Sequence, residues 1–228
     1  MQFGVALPSF ISDPERQRLA KLCFASLLKT DVRPLSRKPM LLLMVRRGEI
    51  VFDYPKIEAM SEDWTPIVIN DPSGIQGVEK SLAYGTSKLV EMGCDYVTWM
   101  GNDSLFHPRW LLELKGVIER HPDAVAWSCY RSANVKTHVN LEERDGDVSV
   151  TSIGYGMTFS KQEWLDSKIA TQPDWNSPYG DTMDLWHMWK RPGERWVTGK
   201  SWIEHTGRWG EHCRPEVPEW AIDFQGIE

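Results

Sequence analysis

The chain has no apolar run near the roughly 20 residues needed to cross a bilayer. Its first residues, Met1-Gln2-Phe3-Gly4-Val5-Ala6-Leu7-Pro8, carry no basic segment ahead of an apolar core. Neither a membrane span nor an export signal is therefore expected, and a cytoplasmic protein is the default. There is no CxxC pair: the four cysteines, Cys23, Cys94, Cys129 and Cys213, stand far apart, as free, mostly buried thiols in a reducing compartment do. Positive charge is not in excess. The 26 Lys and Arg against 32 Asp and Glu leave a net charge of −6, which argues against indiscriminate nucleic-acid binding through many phosphate contacts. No G-x-x-x-x-G-K-[ST] loop and no G-x-S-x-G elbow occur, and Gly154-Tyr155-Gly156 lacks the third glycine of a dinucleotide fingerprint.

What is present is an ordinary globular composition. With 228 residues, 41% hydrophobic and 25% charged, the chain is long enough for one sizeable core and is neither disordered nor fibrous. Tryptophan is abundant, at 12 residues. Its flat apolar faces serve core packing first, and stacking on sugars or bases second.

The apolar pattern alternates between strand and helix. Phe3 to Leu7 reads as a buried strand closed by Pro8-Ser9. Ser12 or Asp13 then caps a helix over about 13–29, with Pro14 in its first turn and Leu19, Leu22, Cys23, Leu27 and Leu28 at helical spacing. Met40–Val45 and Pro66–Asn70 are strands. A helix over 76–92 stops at Gly93, Tyr96–Met100 is the next strand, a helix follows from Pro108 to about 120, and Ala124–Cys129 is a fifth strand. Beyond it come a hairpin around Asp145-Gly146-Asp147, a Gly-interrupted strand over 152–159, a short helix over 161–167, a polar aromatic loop, a helix over 181–190 and a strand over 196–203. This order predicts an α/β fold, an open mixed but mostly parallel sheet flanked by helices, in a single domain over residues 1–228.

In open α/β sheets ligands bind beyond the carboxyl ends of the strands. Here those ends carry Pro8-Ser9, Arg46, Asn70-Asp71 and Gly101-Asn102-Asp103. A carboxylate immediately after a buried strand can meet a hard cation together with a diphosphate; the same Asn-Asp pair can equally be a turn that caps the next helix. Arg46-Arg47 can grip a diphosphate or simply end a strand in solvent, and His107, before Pro108, reads as structural.

The ordered pieces Ser81-Leu82-Ala83-Tyr84-Gly85, Gly93-Cys94-Asp95-Tyr96, Phe106-His107-Pro108-Arg109-Trp110-Leu111 and His121-Pro122-Asp123-Ala124 resemble family 2-type glycosyltransferases of GT-A fold. The likeness is dense from 76 to 130. It continues through Ile153-Gly154-Tyr155-Gly156, through Tyr179-Gly180-Asp181-Thr182-Met183-Asp184-Leu185, similar to that family's G-E-D-x-D-L segment, and through Ile203-Glu204-His205. Two departures stand out. The D-x-D motif reads Gly101-Asn102-Asp103, without its first carboxylate, and Thr182 stands where the usual catalytic carboxylate would be.

The resemblance implies a sugar transferred from a nucleotide sugar to an acceptor hydroxyl with inversion. The donor half would be residues 1–130 and the acceptor half 131–228. Asp103 and His205 would hold Mn²⁺ or Mg²⁺, with metal independence open because of Gly101. Pro8, Ser9, Asn70, Asp71, Gln76 and Asn102 would line the nucleotide-sugar pocket. Asp181 or Asp184 would be the base, and Trp175, Tyr179 and Trp186 would flank the acceptor, whether a glycan, a protein or a modified base in DNA. Plainer readings remain: His205 as a turn histidine or part of a small zinc site with His212 and Cys213, and Asp181 as a helix cap. The whole could also be a GT-A-shaped binding protein without turnover, or a nucleotidyltransferase, which expects a basic Gly-rich loop that Pro8-Ser9-Phe10-Ile11 does not supply.

Overall fold

The computed structural model describes residues 1–46, 62–70, 78–133, 139–167, 192–206 and 221–224. Strand β1 (Phe3–Phe10) leads into helix α1 (Pro14–Leu27), whose start is set by Asp13. That residue is extended, its carboxylate accepts the Arg16 backbone N–H at 2.8 Å, and Pro14 occupies the first turn. β2 (Met40–Arg46), β3 (Thr65–Asn70), α2 (Val78–Glu91) and β4 (Tyr96–Trp99) follow. Gly93 ends α2 with φ of 93°. The Cys94 and Gly93 N–H groups donate to the Leu89 and Val90 carbonyls, the paired bonds of a glycine C-cap. The rest comprises β5 (Ser104–Phe106), α3 (Trp110–Arg120), β6 (Ala126–Ser128), β7 (Asn140–Arg144), β8 (Asp147–Val150), β9 (Thr158–Ser160), α4 (Lys161–Ser167), β10 (Arg195–Thr198) and β11 (Ile203–His205).

Nine strands form one sheet in the order β3-β2-β1-β4-β9-β6-β10-β8-β7, while β11 and β5 pair separately. β3, β2, β1 and β4 run parallel; β9 is antiparallel to both β4 and β6, β10 is parallel to β6, and the β7–β8 hairpin closes the far edge. The mixed sheet flanked by helices agrees with the sequence expectation. Side chains alternate across β1. Phe3, Val5 and Leu7 join Cys23, Leu27, Trp110 and Leu114 on one face, and Ala6 joins Leu42, Met44, Leu82 and Leu89 on the other. Gly85 lets α2 lie directly on the sheet, since a Cβ there would meet Met44 and the Ala6 Cβ. Six of the tryptophans, among them Trp64, Trp110, Trp127 and Trp196, are buried. Core packing is their role.

Several boundaries differ from the sequence reading. β1 continues through Pro8 to Phe10 because its pairing with β4 ends at Ala6, leaving proline on an open edge. The expected strand over 196–203 is two strands in different sheets. The chain turns at Gly199-Lys200-Ser201, where Thr198 Oγ1 donates to the Lys200 carbonyl and the Ser201 N–H to Asp223. The expected strand over 152–159 contracts to Thr158–Ser160, because Gly156 takes φ of 62°. The expected hairpin at Asp145-Gly146 is present, with φ of 55° and 82° as a two-residue hairpin turn requires. No helix among the described residues is long and apolar enough to cross a membrane.

Candidate functional site at the sheet switch point

From β1 the chain moves through α1 to β2 and β3 on one side, then returns through α2 to β4 on the other. The carboxyl ends of β1 and β4 therefore bound the switch point, where such sheets open a crevice. Met100 donates its N–H to the Ala6 carbonyl at 3.1 Å, and the chain then leaves the sheet as Gly101-Asn102-Asp103. Asn102 turns toward β1, where its Nδ2 donates to Ser9 Oγ at 2.9 Å. Asn70 ends β3 at the same level, since Val45 pairs with both Ser9 and Asn70.

Asp103 is the hub. Its Oδ2 accepts from Arg16 Nη1 at 2.8 Å and lies 3.5 Å from His205 Nε2, while Oδ1 accepts from the Tyr155 hydroxyl at 3.0 Å. β11 places His205 opposite Ser104 of β5, and Thr206 donates both its N–H and its hydroxyl to the Asp103 carbonyl. The Tyr155 ring stacks on His205 with centroids 4.3 Å apart, and its hydroxyl is 2.7 Å from Ser104 Oγ.

This geometry leaves little room for any side chain at position 101. A Cβ on Gly101 would lie 2.5 Å from Asp103 Oδ1 and 2.8 Å from the Tyr155 hydroxyl, closer than real contacts allow. Tyr155 fills the space a first acidic side chain would need. Its hydroxyl also accepts the Gly101 N–H at 3.2 Å.

Burial alone would raise the Asp103 pKa. The His205 hydrogen bond and charge, the Arg16 charge and the Tyr155 hydrogen bond outweigh it and hold the carboxyl well below the usual carboxylate range. Burial and the neighbouring Asp103 charge push Tyr155 far up, so its phenol stays protonated and donates. The site is thus a fixed anion with a cationic guanidinium and an imidazole at one of its oxygens.

Of the residues expected from sequence, Ser9, Asn102, Asp103 and His205 are brought together, with Pro8 on the same strand end and Asn70 two strands away. Asp71, Gln76, Trp175, Tyr179, Asp181, Asp184 and Trp186, with His212 and Cys213, lie outside the described residues. His107 packs edge-on against Trp202 and accepts the Arg109 N–H, a structural role. Arg16, Ser104 and Tyr155 were not anticipated. Arg16 follows the helix cap by three residues, and Tyr155 is an aromatic between two glycines; neither pattern alone signals a site.

Asp103 and His205 suit a divalent cation in chemistry and spacing. A carboxylate oxygen and an imidazole nitrogen 3.5 Å apart can both reach one ion at roughly 2.1 Å. Among the described residues no cluster of three or more His, Cys, Asp or Glu forms there. Arg16 shares the oxygen such an ion would use.

The fold is that of GT-A glycosyltransferases. S. aureus TarS (residues 1–349) has the same architecture, with a TM-score of 0.60 and 14% identity over 91% of this chain and 61% of that one. Its complex with UDP-GlcNAc gives 0.57 and 13%, over 89% and 58%. GalNAc-T7 with UDP, GalNAc and Mn²⁺ gives 0.56 and 10%, over 87% and 42%. This chain therefore spans less than two thirds of each. No protein-family model matches it, and no curated protein matches it in sequence.

Proposed function

We propose that this chain is a glycosyltransferase that moves a sugar from a nucleoside-diphosphate sugar to an acceptor hydroxyl. The observation that carries the reading is the buried Asp103 carboxylate, held by Arg16, Tyr155 and His205 at the switch point of a GT-A sheet. TarS binds UDP-GlcNAc on the same architecture. Residues 1–130 hold the donor, with Ser9, Asn102, Asn70, Asp71 and Gln76 along the nucleotide. Residues 131–228 present the acceptor between Trp175, Tyr179 and Trp186. Asp181 or Asp184 takes the proton from the acceptor hydroxyl. That oxygen then bonds to the anomeric carbon as the bond to the diphosphate oxygen breaks, and the configuration inverts. Asp103 and His205 are the residues that would hold Mn²⁺ or Mg²⁺ were the Arg16 guanidinium displaced from Asp103, and the charge of such an ion would then offset that of the departing diphosphate. The acceptor is a glycan, a protein or a modified base in DNA.

A second reading, a nucleotide-sugar-binding protein without turnover, draws on Gly101 in place of the first carboxylate. Thermal melts with UDP, GDP, dTDP, ADP and CDP and their sugars test the donor site, because a ligand of the folded state raises the midpoint by mass action. One nucleotide and its sugar are expected to raise it, and the Asp103→Ala variant is expected to lose the shift. No shift with any of them rejects both readings.

A further inference from the structure

We infer that Arg16 is a built-in cation of the donor site: it occupies the seat beside Asp103 that a divalent ion would take, and it lets the diphosphate bind without metal. The inference rests on the donor-site reading above and deepens it.

The placement is specific. Asp13 caps α1 and holds the Arg16 backbone N–H, so the third residue of the helix sits in the first turn beyond the carboxyl end of β1. From there the guanidinium crosses to Asp103, 87 residues away in sequence, and meets Oδ2 at 2.8 Å. That is the oxygen facing His205 Nε2. A cation coordinated by Asp103 and His205 would use the same lone pairs and would lie within a few ångströms of a full positive charge. Arg16 and the ion therefore exclude one another, since like charges at such distances repel by several kcal/mol at the effective dielectric of a protein surface, about 20.

The rest of the guanidinium fits the role. Only Nη1 is engaged by protein among the described residues, and the side chain is 26% exposed. Its remaining N–H donors are available to a ligand arriving at the switch point. A planar guanidinium pairs two N–H groups with two phosphate oxygens and stays charged at every working pH. Asp103 anchors it, while Tyr155 and Gly101 close off the position of the missing first carboxylate. One acidic residue and one arginine replace two acidic residues and an ion, with the same balance of charge toward the diphosphate.

The test is calorimetric titration of wild type, Arg16→Gln and Arg16→Lys with UDP, GDP, dTDP, ADP and CDP, in EDTA and in Mn²⁺. Binding of Mn²⁺ alone is followed by electron paramagnetic resonance, and melts in the absence of ligand check folding. Wild type is expected to bind one nucleotide in EDTA with less than about a threefold gain from Mn²⁺. Arg16→Gln should lose roughly 10- to 100-fold in EDTA, the range of one or two charge-assisted bonds, and regain affinity in Mn²⁺. It should also bind Mn²⁺ at least about tenfold more tightly than wild type once the repulsion is gone. Arg16→Lys, which keeps the charge but not the fork, should fall between. A wild type that binds nucleotide only with Mn²⁺, or a folded Arg16→Gln that matches it in EDTA, overturns the inference and leaves the donor site standing. Binding of no nucleotide by wild type under either condition rejects the donor site itself, and the inference with it.

Discussion

A side chain at position 101 should destabilise the protein, by an amount the site geometry bounds. A Cβ at Gly101 would press on Asp103 Oδ1 at 2.5 Å and on the Tyr155 hydroxyl at 2.8 Å. Gly101 is not among the glycines with positive φ, so the backbone accepts alanine and the cost is steric. Overpacking of this kind costs about 1–3 kcal/mol. The lower entropy of the unfolded alanine chain offsets about 0.4–1 of that, leaving roughly 1–2 kcal/mol for Gly101→Ala. Gly101→Asp adds a second carboxylate beside the buried Asp103 and displaces its Tyr155 hydrogen bond, for a total of roughly 2–4 kcal/mol. At about 2–4 °C per kcal/mol for a chain of this size, calorimetry should show midpoints lower by about 2–8 °C and about 4–16 °C. The cause is separable by a double-mutant cycle. In a Tyr155→Phe background the hydroxyl is gone, and the cost of Gly101→Ala should fall by about 1 kcal/mol. Strict additivity, within about 0.5 kcal/mol, or a Gly101→Asp variant that melts with wild type, would refute the claim that Tyr155 fills that position.

Other predictions follow from the same contacts. The folded-state pKa of Asp103 is depressed, so its stabilisation is present above the unfolded value of about 4 and is lost as pH falls through the lower folded value. Urea melts of wild type against Asp103→Asn should thus differ throughout pH 8 to 5, narrowing only below about pH 4; a difference that closes by pH 6 contradicts this. Asp147 is buried and accepts from Arg120 Nε and Nη2 at 2.6 and 2.9 Å, with His121 Nε2 at 3.0 Å. Asp147→Ala should lose about 3–5 kcal/mol in denaturant melts while nucleotide affinity in the folded variant stays within twofold or so. Burial lifts the Cys94 thiol to about 12 and also pushes the Cys23 and Cys129 thiols well up. None of these three should react with a thiol reagent at pH 8 until the chain unfolds, with mapping by mass spectrometry as the check.

The strands and caps were legible because their signals are local. Met40–Val45 is an unbroken apolar run, Asp13-Pro14 caps a helix by its own side chain, Gly93 supplies a positive φ, and Asp145-Gly146 favours a hairpin turn. The Asn102-Asp103 turn stood out for the same reason, as polar residues immediately after a buried strand. His205 was legible as a companion of Asp103, but its other two side-chain partners, Arg16 and Tyr155, were not. Arg16 reaches it across 87 residues, and only the crossover that brings α1 beside the end of β4 makes that contact. The sequence pattern puts Tyr155 in a Gly-interrupted strand over 152–159, whereas the turn at Gly156 takes it out of the strand and onto His205. β5 and β11 are three residues each, too short for a period to show, and their pairing is what carries His205 to Asp103. The residues proposed as base and acceptor platform lie beyond the described segments, and they rest on the sequence resemblance alone.

The most direct test of the account is turnover. Wild type and Asp103→Asn are incubated with UDP-, GDP-, dTDP-, ADP- and CDP-sugars, each with EDTA or Mn²⁺, and release of the nucleoside diphosphate to water or to a mixed glycan, protein and DNA acceptor pool is followed. The account predicts that wild type consumes one donor and that Asp103→Asn, though folded, is slower by about 100-fold or more, the range seen when an electrostatic group at the reacting centre is removed. Consumption of a donor at equal rates by both proteins, or of none by either, would contradict it.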